Sequence, residues 1–129
     1  MWFSRWIRIS KGIVVEGEVY CEDIITGKMY AAKNLDNGHL WSRKHMTTRY
    51  NDDNCWPQNR SSNRFKGEAD KDVFMANVKA KIGEEVFNDL EKIKNKRFIN
   101  QPNVFETVAK LYKDAVQKKI VEKNVRKWW

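Results

Sequence analysis

Apolar residues recur at helical spacing near both ends of this chain, and no such period crosses its middle. The first stretch predicts an amphipathic helix that ends near Gly12. Its apolar face consists of Trp2, Phe3, Trp6, Ile7 and Ile9. Helical spacing returns over residues 70–81, 84–96 and 104–125, and Gly83 separates the first two of these stretches. The predicted core-facing residues are Phe74, Val78, Ile82, Val86, Leu90, Ile93, Val104, Val108, Leu111 and Ala115.

β-Structure is expected between the first helix and the polar middle of the chain. Valines and a tyrosine that favour strands lie between residues 14 and 20, and a turn signal at 26–28 precedes Met29 and Tyr30. This pattern predicts a hairpin. Residues 34–63 are rich in Asn, Asp, Ser and Gly, which predicts coil with short strands. The fold class is therefore α+β, with a small β-hairpin core flanked by an N-terminal helix and C-terminal helices.

Length and composition limit the class of protein. A chain of 129 residues with 41% hydrophobic and 12% aromatic residues builds one modest core. No apolar run approaches the roughly 20 residues of a membrane helix, and the start of the chain lacks a signal peptide's apolar stretch. We therefore expect a cytoplasmic protein with no membrane partner. Cys21 and Cys55 cannot form a four-thiolate zinc site, and both are expected to be reduced.

The positive charge is concentrated at the C-terminal end. Eleven basic and three acidic residues lie from Lys92 onward, and their difference equals the formal net charge of +8 of the whole chain. We divide the chain into a body of residues 1–97 and a basic helical extension of residues 98–129, packed on or next to that body. Such a charge suits a polyanion, because each neutralised phosphate releases counterions. A solvated lysine-rich helix is the alternative interpretation.

The residues that indicate chemistry lie in the polar middle of the chain. His39 belongs to a predicted polar turn over residues 35–40, and a glycine directly precedes the imidazole. Asn54 follows 15 residues later, and Asn63 another 9 residues on. Basic residues surround these three: Arg43, Lys44, Arg49, Arg60, Arg64 and Lys66. The order His, Asn, Asn resembles the pattern of HNH nucleases.

Hydrolysis of a phosphodiester explains these residue types. It needs a base for the attacking water, a divalent cation for charge on the phosphate and leaving oxygen, and cationic side chains for the backbone. His39 would take the proton from water, because an unperturbed imidazole titrates near neutrality. Asn63 would anchor Mg²⁺ or Mn²⁺ through its amide oxygen. Asp36 would orient His39 or bind the metal through water.

Further polar residues are predicted to support this chemistry or to contact DNA. Asn54 is expected to bridge backbone groups with its side-chain amide and so to hold the loop that bears His39. Arg43 is the predicted contact to phosphate, since its planar guanidinium matches two oxygens. The remaining nucleic-acid-binding candidates are Lys44, His45, Arg49, Arg60, Arg64 and Lys66. A simple surface role is the alternative for His45.

Several motifs resemble one family closely. The runs are Asn37-Gly-His-Leu-Trp-Ser-Arg43, Thr48-Arg-Tyr50, Asn54-Cys-Trp-Pro-Gln58 and Ser62-Asn-Arg-Phe65. They resemble the NinG (Rap) recombination family of phages, a group of HNH nucleases, and the similarity covers residues 2–95. The resemblance implies a ββα-metal fold, a role in phage recombination on branched DNA, and a location in the cytoplasm of the host cell.

The family's zinc site is the main departure from this resemblance. The family carries CxxC before the Gly-His turn and again before the final Asn. Here Cys21 stands near the first pair without a second cysteine, and Asn59 and Ser62 replace the later pair. Structural zinc is therefore not expected, and Cys21→Ala is expected to leave the fold nearly as stable. An apolar plug is expected to replace the zinc, built from Tyr20, Met29, Tyr30, Trp41, Trp56 and Phe65.

The sequence leaves more than one function open. A metal-dependent DNA endonuclease is favoured by the joint presence of His39, Asn54 and Asn63. A catalytically inactive DNA-binding phage protein that keeps the HNH shell is favoured by the loss of the zinc cysteines. An RNA-binding protein is a weaker fit, because no RNA-binding module is recognisable. A homodimer through Trp2 and the final pair of tryptophans is a further expectation, since junction resolution needs two cuts.

Overall fold

The computed structural model describes residues 1–64, 67–98 and 102–129 of the chain. It has the predicted α+β organisation, with an N-terminal helix, small antiparallel sheets and C-terminal helices. The helices are α1 (Trp2–Lys11), α2 (Met46–Arg49), α3 (Arg60–Arg64), α4 (Glu68–Ile82), α5 (Glu84–Ile93) and α6 (Val104–Lys123). The strands are β1 (Ile13–Val15), β2 (Glu18–Glu22), β3 (Met29–Ala31), β4 (Leu35–His39) and β5 (Cys55–Asn59). No helix within these described ranges combines the length and apolarity needed to cross a bilayer.

Strands β1, β2 and β3 form an antiparallel meander, which confirms the predicted hairpin and adds a strand to it. Glu16 and Gly17 make the first turn with positive φ angles of 50° and 82°. Gly17 accepts this angle readily because it has no Cβ. Val19 and Cys21 of β2 are buried, because alternate residues of a strand face opposite sides of the sheet. The meander therefore supplies one wall of the main core.

β4 and β5 pair antiparallel in a separate two-stranded sheet. Their register sets Leu35 opposite Asn59 and His39 opposite Cys55. The prediction of a polar turn over residues 35–40 is therefore wrong. Asp, Asn and Gly disfavour strands locally, but the paired strand β5 supplies hydrogen-bond partners from a distant part of the chain. Pairing across the sheet outweighs the local composition.

Gly38 allows this two-stranded sheet to pack closely against α4. A Cβ atom on Gly38 would collide with Gln58 Oε1 and would lie 2.8 Å from Phe74 Cε2. Phe74 and Val78 are buried on the inner face of α4, as their helical spacing predicts. Because protein interiors are close-packed, a larger residue at this position would push the strand away from the helix. The glycine is needed here for space.

The main core forms where α1 and α6 pack on the meander. Its buried residues are Ile9, Val19, Cys21, Ala32, Leu35, Val116 and Val125. Because Val116 belongs to α6, the basic helix shares this core with α1 and β2. Residues 104–125 are thus part of the same packed body as the N-terminal helix.

In each of two helices one residue of the predicted core face is exposed, whereas Leu90 of α5 is buried as predicted. Leu111 is 62% exposed, and its neighbour Tyr112 packs on Phe3 with ring centroids 4.7 Å apart. In α5, Val86 is exposed and Phe87 is buried. One residue rotates a helix by about 100°. In both helices an aromatic neighbour takes the inward position, where its larger apolar area is buried.

A buried carboxylate joins the meander to the junction between β5 and α3. Asp23 accepts hydrogen bonds from Thr26 Oγ1 and Asn59 Nδ2, both at 2.8 Å. It also accepts hydrogen bonds from the backbone nitrogens of Ile25 at 3.2 Å and Asn59 at 3.0 Å. Burial by itself raises the pKa of Asp23, but the hydrogen bonds from Asn59, Thr26 and Ile25 outweigh burial and lower the pKa. The carboxylate is therefore held in its charged form.

The Asp23 network joins the end of β2 to the end of β5. The predicted apolar plug is expected to hold the same two regions together. The plug prediction is wrong for Met29 and Tyr30, which are 49% and 38% exposed. Trp56 packs beside α4, and Trp41 packs beside α5. Phe65 lies outside the described residues. Strand alternation places Met29 on the outer face of the meander, so its apolar area cannot reach β5.

Cys21 and Cys55 are free thiols in the interior. Burial raises the pKa of each thiol to about 12, so both are neutral at physiological pH. Cys21 fills space in the main core. Cys21→Ala would remove buried volume from this core. Some loss of unfolding free energy is therefore expected, where the sequence alone predicts almost none.

Gly38→Ala should lower the free energy of unfolding by about 1–3 kcal/mol, because its methyl group overpacks the space beside Gln58 and Phe74. Urea unfolding followed by tryptophan fluorescence measures the loss. Gly67→Ala is the control for space, since a Cβ atom at Gly67 meets no atom within 4 Å, and it should show only the smaller cost of replacing the glycine N-cap of α4. A loss at Gly38 no larger than the loss at Gly67 would contradict the close approach of α4.

Asp23→Ala should lower the free energy of unfolding by about 3 kcal/mol at neutral pH, because buried donors of Asn59 and Ile25 lose a charged partner. The folded-state pKa of Asp23 is lowered from 3.8. The charged Asp23 carboxylate therefore stabilises the fold above pH 3.8, and this stabilisation is lost as the pH falls through the lower folded-state pKa. Denaturant titrations at neutral pH and near pH 3 measure this dependence. Glu22→Ala, at an exposed neighbour of Asp23, is the control. It should show neither the large loss of unfolding free energy at neutral pH nor a change in that loss near pH 3.

Candidate functional site

One cavity of about 650 Å³ is lined by residues of α1, β4, α3 and the segment that follows β4. β4 contributes Asp36, Asn37 and His39, and α3 contributes Asn63. The cavity lining also includes Arg8, Ser42, Arg43, Lys44, Arg49, Tyr50 and Arg60. The structure therefore brings His39, Asp36 and Asn63, which the sequence analysis selected for chemistry, to the same cavity.

Asp36 is held by three residues of α3. Its Oδ1 atom lies 3.4 Å from Arg60 Nε, and its Oδ2 atom lies 3.4 Å from Arg64 Nε. Asn63 Nδ2 donates a hydrogen bond of 3.0 Å to Oδ2. The Asp36 side chain is 18% exposed, and the arginines are 48% and 61% exposed. Arg60 and Arg64, which were predicted to bind nucleic acid, therefore neutralise the carboxylate of the cavity in this structure.

The charge of the cavity is positive. Among the described residues of its lining, Asp36 is the single acidic side chain. The cationic side chains of the lining are Arg8, Arg43, Lys44, Arg49 and Arg60. A concave site with this charge concentrates anions and opposes the entry of a bare cation. The geometry therefore suits a phosphate-bearing ligand.

Asn54 fixes the segment directly after His39. Its Oδ1 atom accepts a hydrogen bond from Trp41 N at 2.8 Å, and its Nδ2 atom donates to Trp41 O at 3.0 Å. Its backbone oxygen accepts a hydrogen bond from Leu40 N at 2.8 Å. Asn54 is completely buried. The side-chain amide of Asn54 thus bridges the backbone N–H and C=O groups of Trp41, the kind of contact that the sequence predicts for it.

Helix α1 clamps the segment that carries Asn54. Trp6 Nε1 donates to Asp52 Oδ2 at 3.4 Å, and Lys11 Nζ donates to the backbone oxygens of Asp52 and Cys55. Lys11 Nζ also lies 3.5 Å from the ring centroid of Trp56. Burial lowers the pKa of Lys11 to about 8. Residues 52–56 are thus held against the first helix.

Two arginines of the lining are fixed in place by contacts that reach across the fold. Arg8 Nη1 donates to the carbonyl oxygens of Ala32 and Leu35, both at 3.0 Å. The Arg49 guanidinium carbon lies 5.0 Å from the ring centroid of Phe105, within the range of a cation–π contact. Arg8 also donates to Ser4 O through Nε and to Ser4 Oγ through Nη2, so these guanidinium groups supply positive charge to the cavity from fixed positions. Arg43 and Lys44 are exposed and supply adaptable charges at the same cavity.

His45 does not join the described lining of this cavity. Its Nδ1 atom lies 3.2 Å from Lys94 O, and Thr47 Oγ1 donates to Ile93 O at 2.6 Å. Both contacts dock α2 onto the end of α5, which favours a structural role for His45 over the predicted nucleic-acid contact. Lys66, another predicted contact, lies outside the described residues.

Sequence reasoning missed Arg8 and Asn37 as residues of the cavity. Asn37 lies two positions before His39 in β4, so recognition of this segment as a strand would have placed both on one face. Arg8 has no comparable signal. Its partners Ala32 and Leu35 lie 24 and 27 residues away in sequence, and the fold alone brings them to α1.

The donor atoms near Asp36 suit a hard cation. Asp36 and Asn63 offer carboxylate and amide oxygens, the ligands that Mg²⁺ and Mn²⁺ prefer. Asn37 also lines the cavity, and its Oδ1 atom is buried with no hydrogen-bond partner among the described residues. Over the same ranges, no three His, Cys, Asp or Glu side chains are grouped to hold a metal ion. A cation here would therefore depend on water and substrate oxygens for most of its ligands.

Comparison with protein-family models, curated proteins and solved structures gives no match for this chain. A functional interpretation therefore rests on the residues of the cavity and on their geometry.

Asn54→Ala should expose the backbone amide of Trp41 to solvent exchange, because the variant removes the oxygen that this amide contacts at 2.8 Å. The accompanying loss of unfolding free energy should be about 2 kcal/mol. Amide hydrogen exchange read by NMR measures the first effect. Asn51→Ala is the control, since its side chain contacts Asp53 N instead. Equal protection of Trp41 in both variants would contradict the bridging role.

Proposed function

We propose that this protein is a metal-dependent HNH-type DNA endonuclease, with His39 as the general base and Asn63 as a metal ligand. The observation that carries this proposal is the shared cavity of His39, Asp36 and Asn63, with its surplus of cationic side chains. The order of β4, β5 and α3 also supports it. His39 ends the first strand and Asn63 lies in the helix, as a ββα-metal interpretation of this region requires.

In this proposal, His39 takes a proton from the attacking water at one nitrogen of its imidazole. Pairing with Cys55 across the sheet limits movement of the His39 backbone. The hydrogen bonds between Asn54 and residues 40 and 41 limit movement of the backbone on the C-terminal side of His39. Such support favours catalysis, because a base must be held within reach of the reacting water.

Arg43 and Lys44 would contact phosphates of the DNA backbone from the exposed side of the cavity. Arg8 and Arg49 would add positive charge from fixed positions. A guanidinium suits this task because its planar donors match two phosphate oxygens. Together these side chains would position the scissile bond near His39.

Asn63 and Asp36 would hold the divalent cation, Mg²⁺ or Mn²⁺. When bound, such an ion stabilises negative charge on the phosphate and on the leaving oxygen. The amide of Asn63 already contacts Asp36 through its nitrogen at 3.0 Å, which leaves the amide oxygen as its metal-binding atom. Structural zinc has no part in this proposal.

Branched or structured DNA of phage recombination is the proposed substrate, from the resemblance to the NinG (Rap) family. The exposed lysines of α6 support a polyanion as the partner. Because α6 shares a core with α1, these lysines belong to the same packed body as the cavity.

A homodimer would supply two cuts at a junction. Trp2 and Trp129, two of the rings expected at its interface, contact each other within one chain at 6.0 Å between centroids, so less of their area is available to a second copy.

A catalytically inactive HNH-fold DNA-binding phage protein is the second candidate. The pairing of Asp36 with Arg60 and Arg64 favours it, because both oxygens of the one described acidic side chain in the lining are engaged. Such a protein would use the cavity to bind phosphate without cutting.

A cleavage assay separates the two candidates. Duplex, single-stranded and four-way-junction DNA are incubated with the protein in Mg²⁺ or Mn²⁺, and products are resolved on denaturing gels. We expect cleavage that falls by about 10²–10⁴ in His39→Ala, the usual contribution of a general base. His45→Ala is the matched control and should retain cleavage, because His45 contacts Lys94 instead of lining the cavity.

Intact DNA in every metal-containing reaction would reject the endonuclease. Binding at low salt and release at high salt would then support the inactive DNA-binding protein. Cleavage that survives in His39→Ala would reject His39 as the base.

A further inference from the structure

Asp36 has two competing sets of partners if the proposed function holds. Arg60 Nε and Arg64 Nε each lie 3.4 Å from one of its carboxylate oxygens. A divalent cation held by Asp36 and Asn63 would need the same oxygens. A cation and the two arginines therefore cannot both hold the carboxylate fully.

The contacts that the two arginines would break on leaving Asp36 lie at the surface, and they include a hydrogen bond of 2.6 Å that Arg60 Nη2 donates to Lys33 O. Their side chains are 48% and 61% exposed, whereas Asp36 is 18% exposed. Exposed ion pairs of this kind are weak, because water and salt screen them. A guanidinium also binds phosphate with the same paired N–H donors that it offers to a carboxylate. Arg60 lines the cavity, and Arg64 is exposed beside Asp36, so a DNA backbone that enters the cavity and crosses its edge would offer both arginines a new anionic partner.

We propose that Arg60 and Arg64 exchange partners when DNA binds, and that this exchange couples cation binding to DNA binding. In the free protein the two arginines hold Asp36 and weaken cation binding. In the DNA complex they pair with phosphates, and the oxygens of Asp36 become available to the cation. This inference rests on the proposed function, since it takes Asp36 and Asn63 as the cation ligands.

The exchange has an advantage for a nuclease with few protein ligands for its metal. The cation is bound only when a phosphate is present to complete its ligands. Linkage makes the effect reciprocal, so the cation should raise the affinity for DNA by the same factor. General neutralisation of a positive cavity by DNA would act in the same direction, and a test must separate it from the exchange of partners.

Binding of Mn²⁺ measures the coupling without reliance on cleavage. Free Mn²⁺ is followed by electron paramagnetic resonance during titration of the His39→Ala protein, alone and with a saturating short duplex. A titration of the duplex alone corrects for ions bound by DNA. The His39→Ala background keeps the duplex intact. We expect the Mn²⁺ affinity to rise by about tenfold in the presence of DNA.

Two double variants in this background separate exchange from neutralisation. R60A/R64A removes both arginine partners of Asp36 and should raise the Mn²⁺ affinity of the DNA-free protein part of the way to that of the DNA complex, in which phosphate oxygens add further ligands. R43A/K44A removes the same number of positive charges, both from the cavity lining, and leaves the partners of Asp36 in place. It should raise the Mn²⁺ affinity much less. Circular dichroism verifies folding, and R60Q/R64Q replaces the first variant if it fails to fold.

Equal Mn²⁺ affinity with and without DNA would overturn the exchange, even if the wild-type protein cuts DNA. Equal increases in R60A/R64A and R43A/K44A would overturn it as well, in favour of neutralisation. In a protein that cuts no DNA, the expected coupling together with a larger increase in R60A/R64A than in R43A/K44A would support the exchange and reject the endonuclease. Absence of Mn²⁺ binding in every protein would overturn both proposals.

Discussion

Hydrogen bonds to the buried Asp23 carboxylate link the two sheets, together with the backbone hydrogen bond from Ile24 N to Pro57 O at 2.9 Å. This charge accepts donors from the turn that follows β2 and from Asn59 at the end of β5. A buried charge is tolerated only with such partners, so these contacts cannot be exchanged for loose packing. Because α3 begins at the residue after Asn59, the direction of that helix, and the position of Asn63 within it, follow from the same network.

Helix α1 supports the cavity from the opposite side. Lys11 and Trp6 hold residues 52–55, and Arg8 holds the backbone of Ala32 and Leu35 at the start of β4. Both strands of the two-stranded sheet are thus fixed by one helix, whose own packing comes from α6 and the meander. Gly38 completes this arrangement by allowing α4 to approach the strand. The cavity is therefore built by rigid elements, which suits a site that must hold its groups in place.

The charge of the cavity connects its geometry to the proposed chemistry. One carboxylate among several cations makes a poor site for a metal ion by itself and a good site for a phosphate. A phosphodiester brings its own oxygens, which would complete the ligands of a cation held by Asp36 and Asn63. Metal and substrate would then be recognised together. The same charge balance would serve an inactive DNA-binding protein, and the difference between the two functions lies in the chemistry of His39.

Local patterns in the sequence determined α1, the hairpin of β2 and β3, the inner face of α4 and the helix break at Gly83, where φ is 87°, because periodicity and glycine act over a few neighbouring residues. His39 and Asn63 were indicated by their resemblance to the HNH pattern, and Asp36 by its residue type close to His39. The tertiary structure decided that residues 35–39 form a strand, which partners Asp36 holds, and which face of α6 is buried. These features depend on contacts between distant segments, whose energies outweigh local preferences only once the chain has folded.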